Sequence, residues 1–506
     1  MRRVIVVLFL SLLAGALCII SCGRKHPGPA PEIATADFPS DVGKIMIGKC
    51  AISGCHNAAS YQNCNGLLLD TWAHLFNGSN NGASVIAYSP KYSPLLYFVN
   101  TDSSRGTVAI PVMPQSTTAM PQSPLTADEY ATLKNWITSG APDKDGNIPF
   151  AANPDTRQKI YITQQGCDLV AVIDAKSNLV MRYIPVGMNA STIESPHSIS
   201  MSSDGKFACV SFLAGTYIQK IDTRTDTVVA SMPVGIGSWN IVYIAPGDTS
   251  LIATDWVGDG MVIFGNATTM QMEPWLTGKG SGLFVYPHGI TTNAAADTVF
   301  VTAQYGNVVY RYSPTLPYYT TVSLNGKPPA TTNAGDSTSP NPHEITMSPD
   351  YSKYFVSCQG TNEVRVLDAH SNAILDSIPV GTFPQEMAIS LTHPYLFVAC
   401  MEDAANPLTG RRGSVYVINY NTFEVVAKLY GDFYQPHDLG VDDINGTIYI
   451  ASTNANPSGP APHHATACGG RAGWYTIYDL NKLQPKNNIR YEMTVMPYSV
   501  GVRFAK

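Results

Sequence analysis

Pro196-His197-Ser198-Ile199-Ser200-Met201, followed two residues on by Asp204-Gly205-Lys206, is one turn of a cycle that runs through most of this chain. Pro287-His288, Pro342-His343, Pro384-Gln385, Pro436-His437 and Pro497-Tyr498 mark further turns, with Ser238-Trp239 in a weaker copy. Between the marks lie short apolar runs such as Ile160-Tyr161-Ile162-Thr163 and Val170-Ala171-Val172-Ile173-Asp174, separated by turn residues. Marks spaced about 42 to 61 residues apart, each opening a set of four short strands, predict a β-propeller. Positions 197, 239, 288, 343, 385, 437 and 498 make seven blades. The strand near Ile160 lacks an innermost partner and the last strand, Tyr498 to Phe504, lacks a follower. Pairing the two closes the ring and removes a free sheet edge.

Composition agrees. The 506 residues include 41 Gly, 36 Pro and 27 Tyr, which favours strands and turns over long helices. A formal charge of −6 with only 13% charged residues and no basic stripe argues against nucleic acid as a partner. Neither a G-x-S-x-G elbow nor an H-E-x-x-H zinc motif occurs, so hydrolase chemistry has no sequence support.

At the N-terminus, Arg2 and Arg3 precede the apolar run Val4 to Ile20, a targeting signal rather than a membrane span. Ile19-Ile20-Ser21-Cys22 resembles a bacterial lipobox, which implies lipidation of Cys22; a plain secretory signal with a chance cysteine is the alternative. The expected layout is a signal over residues 1–22, a Pro-rich tether over 23–37, a small domain over 38–145 and the propeller over 150–506. The expected location is the cell envelope, membrane-held through the lipid and facing the periplasm, where thiols can pair and heme c is attached.

The small domain carries Cys50-Ala51-Ile52-Ser53-Gly54-Cys55-His56. The common heme-attachment run is C-x-x-C-H, and here the gap is four residues. Two readings follow: a wide-spaced heme site, or a disulfide beside an incidental histidine. A short helix is expected over Val42 to Gly48. Another begins at Thr126 with Glu129 as its capping-box partner, buries Tyr130, Leu133, Trp136 and Ile137, and ends at Gly140.

With Gly66-Leu67-Leu68-Leu69-Asp70, Ser93-Pro94-Leu95-Leu96 and a Met-Pro pair in order, residues 41 to 145 resemble the bacterial cytochrome c domains called planctomycete-type. The resemblance implies a small all-α cytochrome c domain with covalent heme c on Cys50 and Cys55, and His56 as proximal iron ligand. It implies a methionine as sixth ligand, for which Met120 leads and Met113 is the alternative. His74 is an outside candidate, and Cys64 has no evident partner. Residues 159 to 504 resemble YVTN-type propeller repeats, a statement about fold and not activity. The order cytochrome c then propeller resembles the heme-d nitrite reductases, but those have eight blades and no heme-d pocket aligns here, so their reaction does not carry over.

Asp174, Asp222 and Asp368 read as turn residues, and Cys209, Cys358 and Cys400 as small packing residues of second strands. Four histidines weigh more. His197, His288, His343 and His437 occupy one equivalent slot at the start of innermost strands, so their rings should converge at one channel mouth. Imidazoles bonding backbone across blades is the bland reading; a site for a second metal or heme is the other. A long loop on the same face adds His463, His464 and Cys468. The function expected from the whole is electron transfer by a lipoprotein whose propeller carries a histidine-lined site, with a redox protein or a small-molecule substrate as partner. The alternative is a binding propeller with the heme as a relay.

Overall fold

The computed structural model describes residues 35–116, 121–151, 155–272, 285–313, 319–333, 336–452, 468 and 473–504. Cys22, Met120, His463 and His464 lie outside the described residues. No helix among the described residues is long and apolar enough to cross a membrane.

Seven antiparallel sheets follow one another around a ring: six in chain order from Pro196 to Met493, and a seventh assembled from both ends of the domain. In that seventh sheet, Lys159–Gln164 pairs with Pro497–Val502, in the register Ile160↔Val502 and Tyr161↔Gly501. The protein is a seven-bladed β-propeller. Second strands such as Phe207–Phe212 and Thr447–Ser452 are buried throughout, because each is covered by a neighbouring blade on both faces, whereas the outermost Thr227–Pro233 alternates exposed and half-buried. Cys209, Cys358 and Cys400 are buried on second strands. Asp174, Asp222 and Asp368 each accept a backbone N–H from the turn that follows.

The seam between the seventh and first blades is closed by charge. Lys159, fully buried, donates to Asp226 at 2.8 Å and to the Thr223 carbonyl at 2.8 Å, and its ammonium lies 2.9 Å from Asp155. Arg503, just past the last strand, donates to the carbonyls of Gly205, Asp155 and Arg157.

Residues 35–151 form a small segment of short helices: α1 (Ser40–Ile45), α2 (Trp72–Leu75), α3 (Pro94–Val99) and α4 (Ala127–Thr138). Helix α4 has the expected capping box: Thr126 accepts the Glu129 N–H and Glu129 accepts the Thr126 N–H. Tyr130, Leu133, Trp136 and Ile137 face a core shared with Phe38, Val42, Met46, Leu95 and Leu96. Helix α1 widens into a π turn over Met46–Cys50, which carries Cys50 inward.

This segment packs on the sixth and seventh blades. Asn80 and Asn81 accept the backbone N–H groups of Arg490 and Glu492. Ile86 joins a propeller core cluster, and the Tyr92 and Tyr183 rings meet edge to face at 5.4 Å. Cys167 and Cys468, 301 residues apart, form a disulfide between the seventh and sixth blades beside this contact, with the Tyr92 hydroxyl 3.6 Å from Cys468 Sγ. Nothing in the local sequence brings those two loops together.

Candidate functional site

Every innermost strand begins with the same irregularity. Pro342 pairs with Cys358 and Ile345 with Val356, so His343 and Glu344 together oppose one residue, Ser357. The same two-against-one bulge falls at Pro196/Ile199, Trp239/Val242, Pro287/Ile290, Pro384/Met387, Pro436/Leu439 and Pro497/Val500. A bulge turns both of its residues away from strict alternation. The first bulge positions are His197, Asn240, His288, His343, Gln385, His437 and Tyr498, all buried. The expectation that Trp239 fills the slot is corrected: Trp239 aligns with the prolines, and Asn240 takes the histidine position.

In five blades the single opposing residue carries a hydroxyl. Ser211, Thr254, Thr302, Ser357 and Thr163 each accept the N–H of the second bulge residue of their own blade. Four of them donate onward to the carbonyl of the first bulge residue of the next blade: Thr163 to His197, Ser211 to Asn240, Thr254 to His288 and Thr302 to His343. The cross-blade bonds of the histidine slot therefore run from strand hydroxyls to histidine carbonyls, which fixes where each ring projects.

The four imidazoles converge, but not at an open mouth. All are at most 1% exposed, and the free space lies to one side of them, in a cavity of about 510 Å³ along the innermost strands. Its wall includes His197 and Tyr498 and the second bulge residues Ser198, Ile241, Glu344, Glu386, Asp438 and Ser499. Burial pushes Glu344, Glu386 and Asp438 above the ordinary carboxylate range, Glu386 well above it with Glu344 adding like-charge repulsion.

The ring has two unlike halves. On one side Tyr498 stacks on His437 at 3.7 Å and lies 4.4 Å from His197, and His197 Nδ1 is 2.8 Å from the Gln165 amide. On the other, His288 and His343 lie ring to ring at 4.0 Å and His343 Nδ1 is 3.8 Å from Glu386 Oε1. Donor atoms of His288, His343 and Glu386 all fall within 4.8 Å of one another. Glu386 escaped the sequence reading because period-two alternation puts the residue after a channel-facing one on the opposite face, and the bulge overrides that.

The small segment holds a second cavity, of about 570 Å³. Cys50, Cys55, His56, Cys64 and Met113 line it, with apolar Leu67, Leu95, Phe98 and Val99, and Glu492 arrives from the sixth blade. Cys50 and Cys55 are free thiols, and burial pushes Cys50 up to about 12. His56 Nδ1 meets the Leu67 carbonyl at 2.9 Å. A carbonyl only accepts, so Nδ1 carries the proton and Nε2 keeps its lone pair. Burial lowers the His56 pKa and favours the neutral ring. Lys49 at the rim is bonded at 2.6 Å to Glu129 of the capping box. His74 is instead at the surface, 2.6 Å from Asp70.

No family model matches the chain. A stretch of 131 residues is 28% identical to antigen Lp49 of Leptospira interrogans serogroup Icterohaemorrhagiae serovar copenhageni, covering 22% of this chain. It spans only about a quarter of that protein's length. Among solved structures, hydrazine synthase of Kuenenia stuttgartiensis aligns at a TM-score of 0.47 with 14% identity, over 63% of this chain and 92% of that one. A functionally unknown protein of Desulfotomaculum acetoxidans aligns at 0.48 with 13% identity, over 68% of this chain and all of its own. The dihydro-heme d1 dehydrogenase NirN aligns at 0.45 with 11% identity, over 76% and 88%. The propeller assignment rests on the strand pairing described above.

Proposed function

We propose that this chain is a c-type cytochrome fused to a seven-bladed propeller, lipid-anchored through Cys22 in the cell envelope, and that it transfers electrons between its small domain and a partner. The observation that carries this is the cavity in residues 35–151, where two free thiols, an imidazole with Nε2 available and a thioether share one largely apolar wall. That donor set fits heme c: Cys50 and Cys55 would hold it through thioether bonds, and His56 and Met113 would bind its iron. Heme held there supplies a one-electron couple at a potential set by a histidine and a methionine.

The residues around it have separate duties. The Leu67 carbonyl orients the His56 ring, and such a bond to the distal nitrogen strengthens an imidazole as a ligand. Leu95, Phe98 and Val99 make part of the pocket wall apolar. Glu492 makes the propeller part of the cavity wall, so the two domains share a boundary at the site rather than being joined only by a linker. The Cys167–Cys468 disulfide supports the exported location, since such bonds persist in oxidising compartments. Met120, the other methionine candidate, lies outside the described residues.

The test is covalent heme staining of the full chain made in a host with heme-attachment machinery. One heme per chain is expected, lost in Cys50→Ser together with Cys55→Ser. Full staining of that double variant would overturn the reading.

A further inference from the structure

We infer that the propeller channel binds a first-row divalent metal ion at His288, His343 and Glu386, a site separate from the heme cavity and independent of whether heme is present. Three features converge. The first is geometry: one donor atom from each residue, all within 4.8 Å, on three successive blades. A divalent ion with bonds of about 2.0–2.2 Å draws three such donors together by side-chain rotation. Because the backbone of each strand start is pinned, the carbonyl of His288 by Thr254 and that of His343 by Thr302, the closure falls on the rings and the carboxylate.

The second is charge. Glu344, Glu386 and Asp438 stand on adjacent blades in one buried wall, and among the described residues lining the cavity there is no Lys or Arg. Buried carboxylates are paired or coordinate metals. A divalent ion at the near end of this crescent would give the cluster a cationic partner that its own wall does not provide.

The third is asymmetry. His197 and His437 lie against the Tyr498 ring, and His197 also meets Gln165, whereas donor atoms of His288 and His343 lie within 4.8 Å of a Glu386 oxygen. The ring is therefore not a four-imidazole cage. Two imidazoles and one carboxylate are the donor set of three-ligand zinc sites and of non-heme iron sites, which leave positions for an exogenous ligand. Glu386 borders the cavity, so the position left open faces the 510 Å³ space, large enough for a small molecule.

The experiment is zinc binding to the untagged full chain, stripped with chelator and then dialysed against ZnCl₂, with zinc and iron counted separately by elemental analysis. One zinc per chain is expected, falling to none in His288→Gln, His343→Gln and Glu386→Gln, and retained in His437→Gln. Glutamine is the natural occupant of this slot in the fifth blade, as Gln385, so the histidine variants are compatible with the fold. X-ray absorption of the zinc-loaded wild type needs no variant, and its expected first shell contains two imidazoles. No zinc bound to the wild type, binding undiminished in both histidine variants, equal loss in His437→Gln, or a shell without imidazole would each overturn the inference. Loss of heme with zinc retained would sink the cytochrome reading and leave this one standing.

Discussion

Thr302 donates its hydroxyl to the His343 carbonyl at 2.7 Å, across the seam between the third and fourth blades. The same oxygen accepts the Gly289 N–H at 2.8 Å, so one hydroxyl joins a bulge to its neighbour. Thr302→Val keeps the shape and leaves a buried donor and a buried acceptor unsatisfied. The expected cost is about 1–3 kcal/mol. Thr302→Ser restores most of it, and urea midpoints of the three proteins check the order.

Gly289 sits where a side chain has no room. A Cβ there would lie 2.7 Å from the His343 carbonyl oxygen and 2.8 Å from the Glu344 Cα, both backbone atoms that cannot move alone. Gly289→Ala forces the third and fourth blades apart at the His288–His343 pair. We expect a loss of about 1–3 kcal/mol in stability, seen in thermal melts. Zinc retention after chelator treatment should fall with it, because the same strand starts set the donor spacing.

What the sequence made legible follows from this architecture. Blade count, ring closure and the shared slot of His197, His288, His343 and His437 came from repetition, which survives in a linear reading. So did helix α4, whose capping box and apolar face are local. The carboxylates were not legible, because a bulge is a pairing between two strands and leaves no mark in either alone. Asn240 in place of Trp239 was lost for the same reason: only register separates neighbours. Cys167–Cys468 was lost because its halves lie on different blades, 301 residues apart.

Lys159 is the central cation where the two ends of the propeller meet the first blade. Its removal in Lys159→Met strands Asp155 and Asp226 in a buried site, partly relieved by Arg157 at 2.8 Å and Arg182 at 3.6 Å. Breaking a buried pair from one side costs about 3–5 kcal/mol, and the remaining arginines place the outcome at the lower end. Thermal denaturation measures it. Equal stability of variant and wild type would refute the role of this network in holding the ring closed.

The disulfide makes a different prediction. Cys167→Ala with Cys468→Ala removes a cross-link between the sixth and seventh blades, so the variant should lose about 2–5 kcal/mol. It should also loosen the contact at Tyr92, whose hydroxyl faces Cys468 and whose ring lies on Tyr183. Protease cutting between residues 141 and 155 should then quicken relative to wild type. A cross-link that served only the propeller would leave that rate unchanged.

Met113 and Met120 are separated by one measurement. Met113 lines the cavity with His56, its backbone N–H bonded to the Phe98 carbonyl at 2.7 Å, so its thioether is placed by α3 as well as by its own loop. If Met113 is the sixth ligand, Met113→Ala opens an iron position: added imidazole binds, and the midpoint potential drops because a histidine–methionine pair sits above a bis-imidazole pair. Met120→Ala should leave imidazole binding and potential as in wild type. The reverse pattern would move the axial role to Met120, and the same spectra would show the thiols still carrying the heme.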